Sequence, residues 1–503
     1  MRIPTVCGIV GLLLVGCANR VVVQPPAAPG FLQAHGLVEA GCYRCLLDAY
    51  TLYEKALQAP VDRVAVEDRL FSTALLLALR EKELGLDATP WIERARAAAG
   101  AADGIYLEAV EAIPWATAGF STDFERAHPL TPRTREAWRA RLASIDRQSA
   151  LDTYLQLTVA CTTGLRELEP ALEDRARSGT PLLRYRLGAC GADHREVLEA
   201  VLGADSRFVE IPFFLARFEI GGAVSRRDWL SRALPHLEAA HSGLPESPIV
   251  TVTLAGAVAG RRNPERALAL YDQALGQRPL QREAMLGRMV TLSNLRRHEE
   301  AIAVAGRMIE LGTWYIGDAY YWRAWNHYQR ARLDAAAADI ADARRSLVNI
   351  DVLTLAGMIA YDSGRRADAR ADFTEAQAKD PATCVSSWYL GLLDIDESSW
   401  QAAVGTFGGA ASCYRDAAAA FLKAAAELPA DLPADVRQAE AAQFGQNAAD
   451  SLRQAGRASL NAAQASIRLG DNQRALQHAR LAAEQPDTRE RAEALLQALD
   501  KAL

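Results

Sequence analysis

The sequence predicts an all-α protein: an α-solenoid of helical hairpins, degenerate in its N-terminal half and clearer in its C-terminal half. Three observations carry this. Apolar residues recur at spacings of three and four, Ala and Leu abound, and alternating strand-like runs are scarce. Gly, Pro, Asn and Asp interrupt the chain at short intervals, at 85–90, Ser178-Gly179, Arg262-Asn263-Pro264, Gly364 and Gly470-Asp471. Short helices with short breaks are antiparallel hairpins. Finally, Ala267, Ala301, Ala336, Ala369 and Ala403 stand about 34 residues apart.

Other positions keep that period. Ala255, Met289, Ala324, Gly357 and Gly391 precede the alanines at one fixed distance. Tyr271, Ala305, Ile340, Phe373 and Phe407 follow them at another, and Ala274, Met308, Ala343, Ala376 and Ala410 at a third. A further copy closes the chain with Ala463, Ala475 and Ala482 before Pro486. This pattern resembles the tetratricopeptide repeat (TPR) family. Small residues at the crossing let two helices approach, the aromatic position fills the gap to the next hairpin, and proline ends the second helix, as at Pro279 and Pro381. One hairpin cannot bury its apolar faces alone, so copies stack into a superhelix with a concave groove.

The resemblance divides the chain. Residues 246–415 are the array, and 457–503 carry a last repeat and a capping helix. Between them, 416–456 lose the period around Pro429 and Pro433 and read as a helical insertion or linker. Residues 31–245 read as a diverged helical-repeat domain, interrupted by Pro114, Pro129, Pro132 and Pro212 and bounded by the punctuation at 243–248.

The first residues speak to compartment. Met1-Arg2 precedes an apolar run, Val6 to Val15, too short to span a bilayer, which needs about 20 residues in a helix. A basic start and a short apolar stretch mark a cleaved export signal, residues 1–16. Leu14-Val15-Gly16-Cys17 resembles the lipobox of bacterial lipoproteins. That resemblance implies acylation of Cys17, with 17–30 as a lipidated linker. Ala18 stands where Asp often signals inner-membrane retention in that family, so the expected location is the periplasmic face of the outer membrane.

Composition excludes other classes. Net charge is −6 and no Lys/Arg-rich tract occurs, so nucleic acid is not an expected partner. No phosphate loop, serine elbow or metalloprotease motif appears, and neither a cofactor nor a metal is expected. Asp394-Ile395-Asp396-Glu397 looks like the start of a calcium loop but lacks its Gly and closing Glu; a solvated acidic turn is the preferred reading.

Apart from Cys7 and Cys17, six cysteines remain, an even set suited to an oxidising compartment. Cys42-Tyr43-Arg44-Cys45 allows a redox pair or half a metal site, with a local disulfide preferred. In the repeat register Cys384 opens one helix and Cys413 closes its antiparallel partner, so the two should bridge. Cys161 and Cys190 are expected to pair at the ends of alternate, parallel helices.

The same register, carried over from the family, places Tyr321, Trp325 and Tyr328 on the groove, then Met358 and Tyr361, then Trp388 and Leu392. Trp322 should face the core. Asp318, Asp362 and Asp396 occupy the place of the Lys/Asn clamp by which some relatives hold a terminal carboxylate. The expected ligand is therefore a basic or neutral segment with apolar anchors. Together these readings describe a non-enzymatic, lipid-anchored envelope scaffold that binds a protein or peptide, an accessory of outer-membrane assembly, pilus or secretion machinery. The alternatives are a peptidoglycan or carbohydrate binder, and an enzyme whose site is hidden in residues 31–245.

Overall fold

The computed structural model describes residues 29–59, 62–100, 103–113, 149–161, 170–222, 226–261, 263–312, 315–428 and 434–500, with a few single positions besides. The expected signal, the lipobox with Cys17, Trp314, Pro429 and Pro433 lie outside the described residues. Every regular element among them is helical.

Five hairpins stack in the repeat region: Pro248–Gly260 with Pro264–Gln277, Arg282–Asn294 with His298–Glu310, Ile316–Gln329 with Leu333–Ala343, Ile350–Asp362 with Arg366–Lys379, and Cys384–Asp396 with Trp400–Ala426. The periodic alanines 267, 301, 336, 369 and 403 have no solvent exposure. Their role is close approach. A methyl on Gly357 would lie 2.7 Å from the Phe373 ring, and one on Gly391 2.9 Å from Phe407. Both rings are fully buried, so each glycine is the floor on which its aromatic partner rests. The neighbouring hairpin has Ile340 in the aromatic place and accordingly accepts Ala324.

The turns repeat as well. Arg296, Ala331 and Ser398 are left-handed (φ 58, 55 and 56), as are Gly364 (φ 77) and Gly470 (φ 72). Each ends a first helix and redirects the chain into the second. Only two of these sites carry the glycine that the conformation favours.

First helices of successive hairpins contact one another, whereas second helices make no comparably broad contact. A stack joined more closely on one side curves toward that side, so the first helices form its inner wall. The last second helix runs through the expected boundary at 415, to Ala426, and Ala434–Arg468 runs through 456. These two long helices pack along each other. The poor repeat match there reflects helices longer than a repeat allows. Asn472–Ala483 and Pro486–Asp500 follow.

The N-terminal half begins with Pro29–Ala40, Tyr43–Ala56 and the long Arg63–Glu83, and ends with Ile211–Gly222 and Arg226–Gly243. One apolar cluster runs from Ala34 to Leu244. The joint to the repeats is packed: Ser247 Oγ donates to the Leu84 carbonyl at 2.6 Å. Gly85 (φ 67) lies so close to Ile249 that a methyl would stand 2.9 Å from its side chain.

Three disulfides are formed, Cys42–Cys45, Cys161–Cys190 and Cys384–Cys413. Cys413 does not close its helix as expected; it sits inside Trp400–Ala426, still opposite Cys384. Each of the two longer bridges has a sequence separation of 29.

Gly357→Ala should drive its methyl into the buried Phe373 ring and cost about 1–3 kcal/mol, the usual range for overpacking. Urea unfolding followed by circular dichroism would register this as a lower midpoint at unchanged slope.

Candidate functional site

The inner wall over Ile316–Gln329, Ile350–Asp362 and Cys384–Asp396 carries the seven expected groove residues. All seven are half-buried, and none is among the exposed large apolar residues. Their apolar surface is not bare, because these side chains lean on their neighbours. Tyr321, Trp325 and Tyr328 pack against Val352, Leu355 and Ile359 of the next hairpin. Met358 and Tyr361 pack with Ala360 and Leu390. Trp388 and Leu392 join Val404, Phe407 and Ala458, with the Trp388 ring edge-on to Phe407 at 5.5 Å. Trp322 packs back on the preceding cluster with Met289 and Met308. The cause is the direct contact between first helices, which covers one side of any large residue on the wall.

What remains accessible is an aromatic and carboxylate ladder. The Tyr328 hydroxyl donates to Asp362 Oδ2 at 2.7 Å and also meets the Tyr389 hydroxyl. Tyr389 stands edge-on to Tyr361 at 5.3 Å and stacks on Phe373 at 4.9 Å. Three successive first helices thus contribute to one contact. Burial, then the bond to Asp362, pushes the Tyr328 hydroxyl far above its ordinary range. Tyr321 is pushed up to about 12 by burial, with Asp351 adding to it. Tyr389 was absent from the sequence-based set; its adjacency to Trp388 hid that the two rings serve different clusters.

Charge on the wall is one-sided. Ile350–Asp362 and Cys384–Asp396 contain Asp351, Asp362, Asp394 and Asp396 and no Lys or Arg. Cations reach the wall from the second helices. Arg366 lies over the Tyr361 ring at 4.1 Å while its Nε pairs with Asp396 at 2.7 Å. Arg370 pairs with Asp394 and Glu397, each at 2.9 Å. Asp394 is buried and also accepts from Thr406, whereas Asp396 and Glu397 are exposed, so the acidic turn is solvated as expected except at Asp394.

The N-terminal half holds a different arrangement. Arg80 and Glu210 are wholly buried and ion-paired to each other. Arg80 also donates to the Gly41 carbonyl at 3.0 Å and lies 3.4 Å over the Tyr185 ring. Glu83 accepts from Tyr154 and Tyr185, each at 3.1 Å, and faces Arg186 at 3.5 Å. Burial opposes the Arg80 charge, but Tyr185, Glu210, Tyr154 and Glu83 together outweigh it and hold its pKa above the ordinary value. Burial raises Glu210, against the pull of Arg80. Lys82 donates to the carbonyls of Val110 and Ile113, both at 2.6 Å. Burial brings it down to about 8, with Glu111 opposing. These groups converge as an active site would, yet the central pair has no exposed surface for a substrate to touch. They tie six segments of the domain together, around Gly41, 80–83, 110–113, Tyr154, 185–186 and Glu210.

The Cys42–Cys45 bridge is part of that knot. Cys42 caps Tyr43–Ala56, its sulfur accepting from the Cys45 N–H at 3.0 Å, and the Tyr43 N–H bonds to Glu210. Both cysteines are buried, which suits a structural bridge better than an exchanging one. Among the described residues, no group of His, Cys, Asp and Glu is placed to hold a metal ion, and no helix is long and apolar enough to cross a membrane.

Glu210→Gln should leave Arg80 buried with only the more distant Glu83 as counter-charge and cost about 3–5 kcal/mol, whereas Arg80→Met combined with Glu210→Leu should cost less. Urea titrations of the three proteins decide; equal losses for single and double variants would count against the pair.

No protein-family model matches the chain, and no curated protein does. Solved structures similar to it include YrrB, a TPR protein with an unusual peptide-binding site (19% identity, 35% of this chain and 91% of that one, TM-score 0.31). PilW, a type IV pilus biogenesis factor, is 18% identical over 44% of this chain and 100% of its own, with TM-score 0.35. A tetratricopeptide repeat protein from Parabacteroides merdae is 12% identical over 58% and 98%, with TM-score 0.33. The likeness is one of fold alone, that of an α-solenoid built from TPR-like hairpins.

Proposed function

We propose that this chain is a non-enzymatic scaffold of the bacterial envelope, anchored through a lipid on Cys17, whose inner wall holds a basic segment of a partner protein. The observation that carries the reading is the wall itself: aromatic rings from three successive first helices beside Asp362 and Asp396, with no Lys or Arg on the last two. A guanidinium is recognised by a ring face and a carboxylate together. Arg366, stacked on Tyr361 and paired with Asp396, is the chain's own example of that recognition. Half-buried rings suit such a role, because they are held in place before a ligand arrives. An accessory part in outer-membrane assembly, pilus or secretion machinery fits this layout.

The test is peptide selection. A displayed library of Arg/Lys-rich peptides with Leu or Phe anchors should yield binders to the purified protein, and acidic counterparts should not. Asp362 is exposed, so Asp362→Lys should fold normally and lose them. Binding that survives this reversal would place the site elsewhere. Selection of glycan fragments instead would favour a carbohydrate-binding role. The anchor is tested separately by Cys17→Ser, which should release the protein from membranes into the soluble envelope fraction.

A further inference from the structure

Exposed large apolar residues are few among the described residues, and three of them meet at one edge. Leu32 (62% exposed) lies in the first turn of Pro29–Ala40, Leu57 (37%) caps Tyr43–Ala56, and Val64 (75%) lies in the first turn of Arg63–Glu83. The buried Tyr53 links two of these ends, and the third lies beside them because successive helices here pack antiparallel. Its ring stands edge-on to Phe31 at 5.5 Å, its carbonyl accepts the Leu57 N–H, and Arg69 acts on its hydroxyl. Nothing internal calls for apolar groups there. Tyr53 is already enclosed, and none of the three belongs to the cluster that runs to Leu244.

Position along the chain identifies the occupant. Only residues 18–28 separate Cys17 from the first helix, and a fully extended chain of that length reaches no more than about 40 Å. A lipid on Cys17 would therefore keep this edge within about 40 Å of the bilayer. The lipid on Cys17 holds the chain at the bilayer, and an adjoining apolar contact would fix the angle at which it is held. The local carboxylates do not oppose contact in isolation: Asp62 accepts from the Val64 and Ala65 N–H groups, and Glu67 pairs with Arg63 at 2.8 Å.

We infer that the edge formed by Leu32, Leu57 and Val64 rests on the phospholipid surface, so that the solenoid is attached in one orientation and does not swing on its tether. This rests on the anchored reading above. Contact through apolar side chains also predicts labelling that persists at high salt, unlike attraction to anionic headgroups.

The experiment uses the full chain, made in a bacterial envelope and reconstituted into phosphatidylethanolamine–phosphatidylglycerol vesicles that contain a carbene-generating phospholipid. After photolysis, mass spectrometry reads both the lipid labels and the state of Cys17. The expected result is acylated Cys17 with labels on peptides bearing Leu32, Leu57 and Val64, and none at Leu280 or Val348, which are also exposed but distant in sequence. The triple variant Leu32→Asp, Leu57→Asp, Val64→Asp should keep its acyl group and its helical spectrum and lose those labels. Acylated Cys17 with no labels at the edge, or with equal labelling at Leu280 and Val348, overturns the orientation and leaves the anchor standing. Unmodified Cys17 in soluble protein overturns the anchor, and the orientation with it.

Discussion

The fold turns on how closely two helices can cross. In four of the five hairpins a residue with little or no side chain on the first helix faces a larger one on the second, and in Arg282–Asn294 with His298–Glu310 the sizes are exchanged, Met289 against Ala305; either way the gap fixes the pair. Gly357 under Phe373 and Gly391 under Phe407 are the tightest cases. Once crossing is set, the rest follows from geometry. The hairpin has an apolar remainder that only another hairpin can cover, so copies stack, and first helices touch first helices. That contact makes the inner wall and half-covers its aromatic residues.

The N-terminal half solves the same problem with other chemistry. Its helices lack a constant crossing register, and charge does the tying. Arg80, Glu83, Arg186 and Glu210 amount to two cations and two anions, arranged so that each meets an opposite partner or a hydroxyl. Such a knot contributes less net stability than apolar packing of equal volume, because desolvation offsets much of the attraction. It does dictate which segments meet, since any mispairing strands a buried charge. A domain of irregular helices has more need of that discrimination than an array whose repeats template one another.

Legibility in the sequence follows the same division. The repeat array was readable because burial there is periodic: every alanine of the 34-residue series is enclosed. The Cys384–Cys413 and Cys161–Cys190 pairs were readable because helix direction brings Cys161 and Cys190 together near the ends of alternate helices and sets Cys413, inside its helix, opposite Cys384. The knot was not. Arg80-Glu81-Lys82-Glu83 has the composition of a solvated helix end, and its burial is decided by Glu210 and Tyr185, far along the chain. The wall was half readable. Register placed Tyr321, Trp325 and Tyr328 on first helices, but how far each is covered depends on the neighbouring hairpin, and Tyr389 emerged only when three helices were seen together.

These two constructions place different demands on the ends of the molecule. The array transmits position from hairpin to hairpin through close-packed crossings, so its inner wall is held as rigidly as its core. The packed joint, with Ser247 bonded to Leu84 and Gly85 against Ile249, passes that rigidity into the N-terminal half. The charge knot then carries it to the helix that begins at Tyr43, through the Tyr43 N–H on Glu210 and the Gly41 carbonyl on Arg80. An orientation fixed at the first three helices is therefore felt at the wall. Packed contacts thus run from the first three helices to the inner wall without the free hinge that would separate two independent domains.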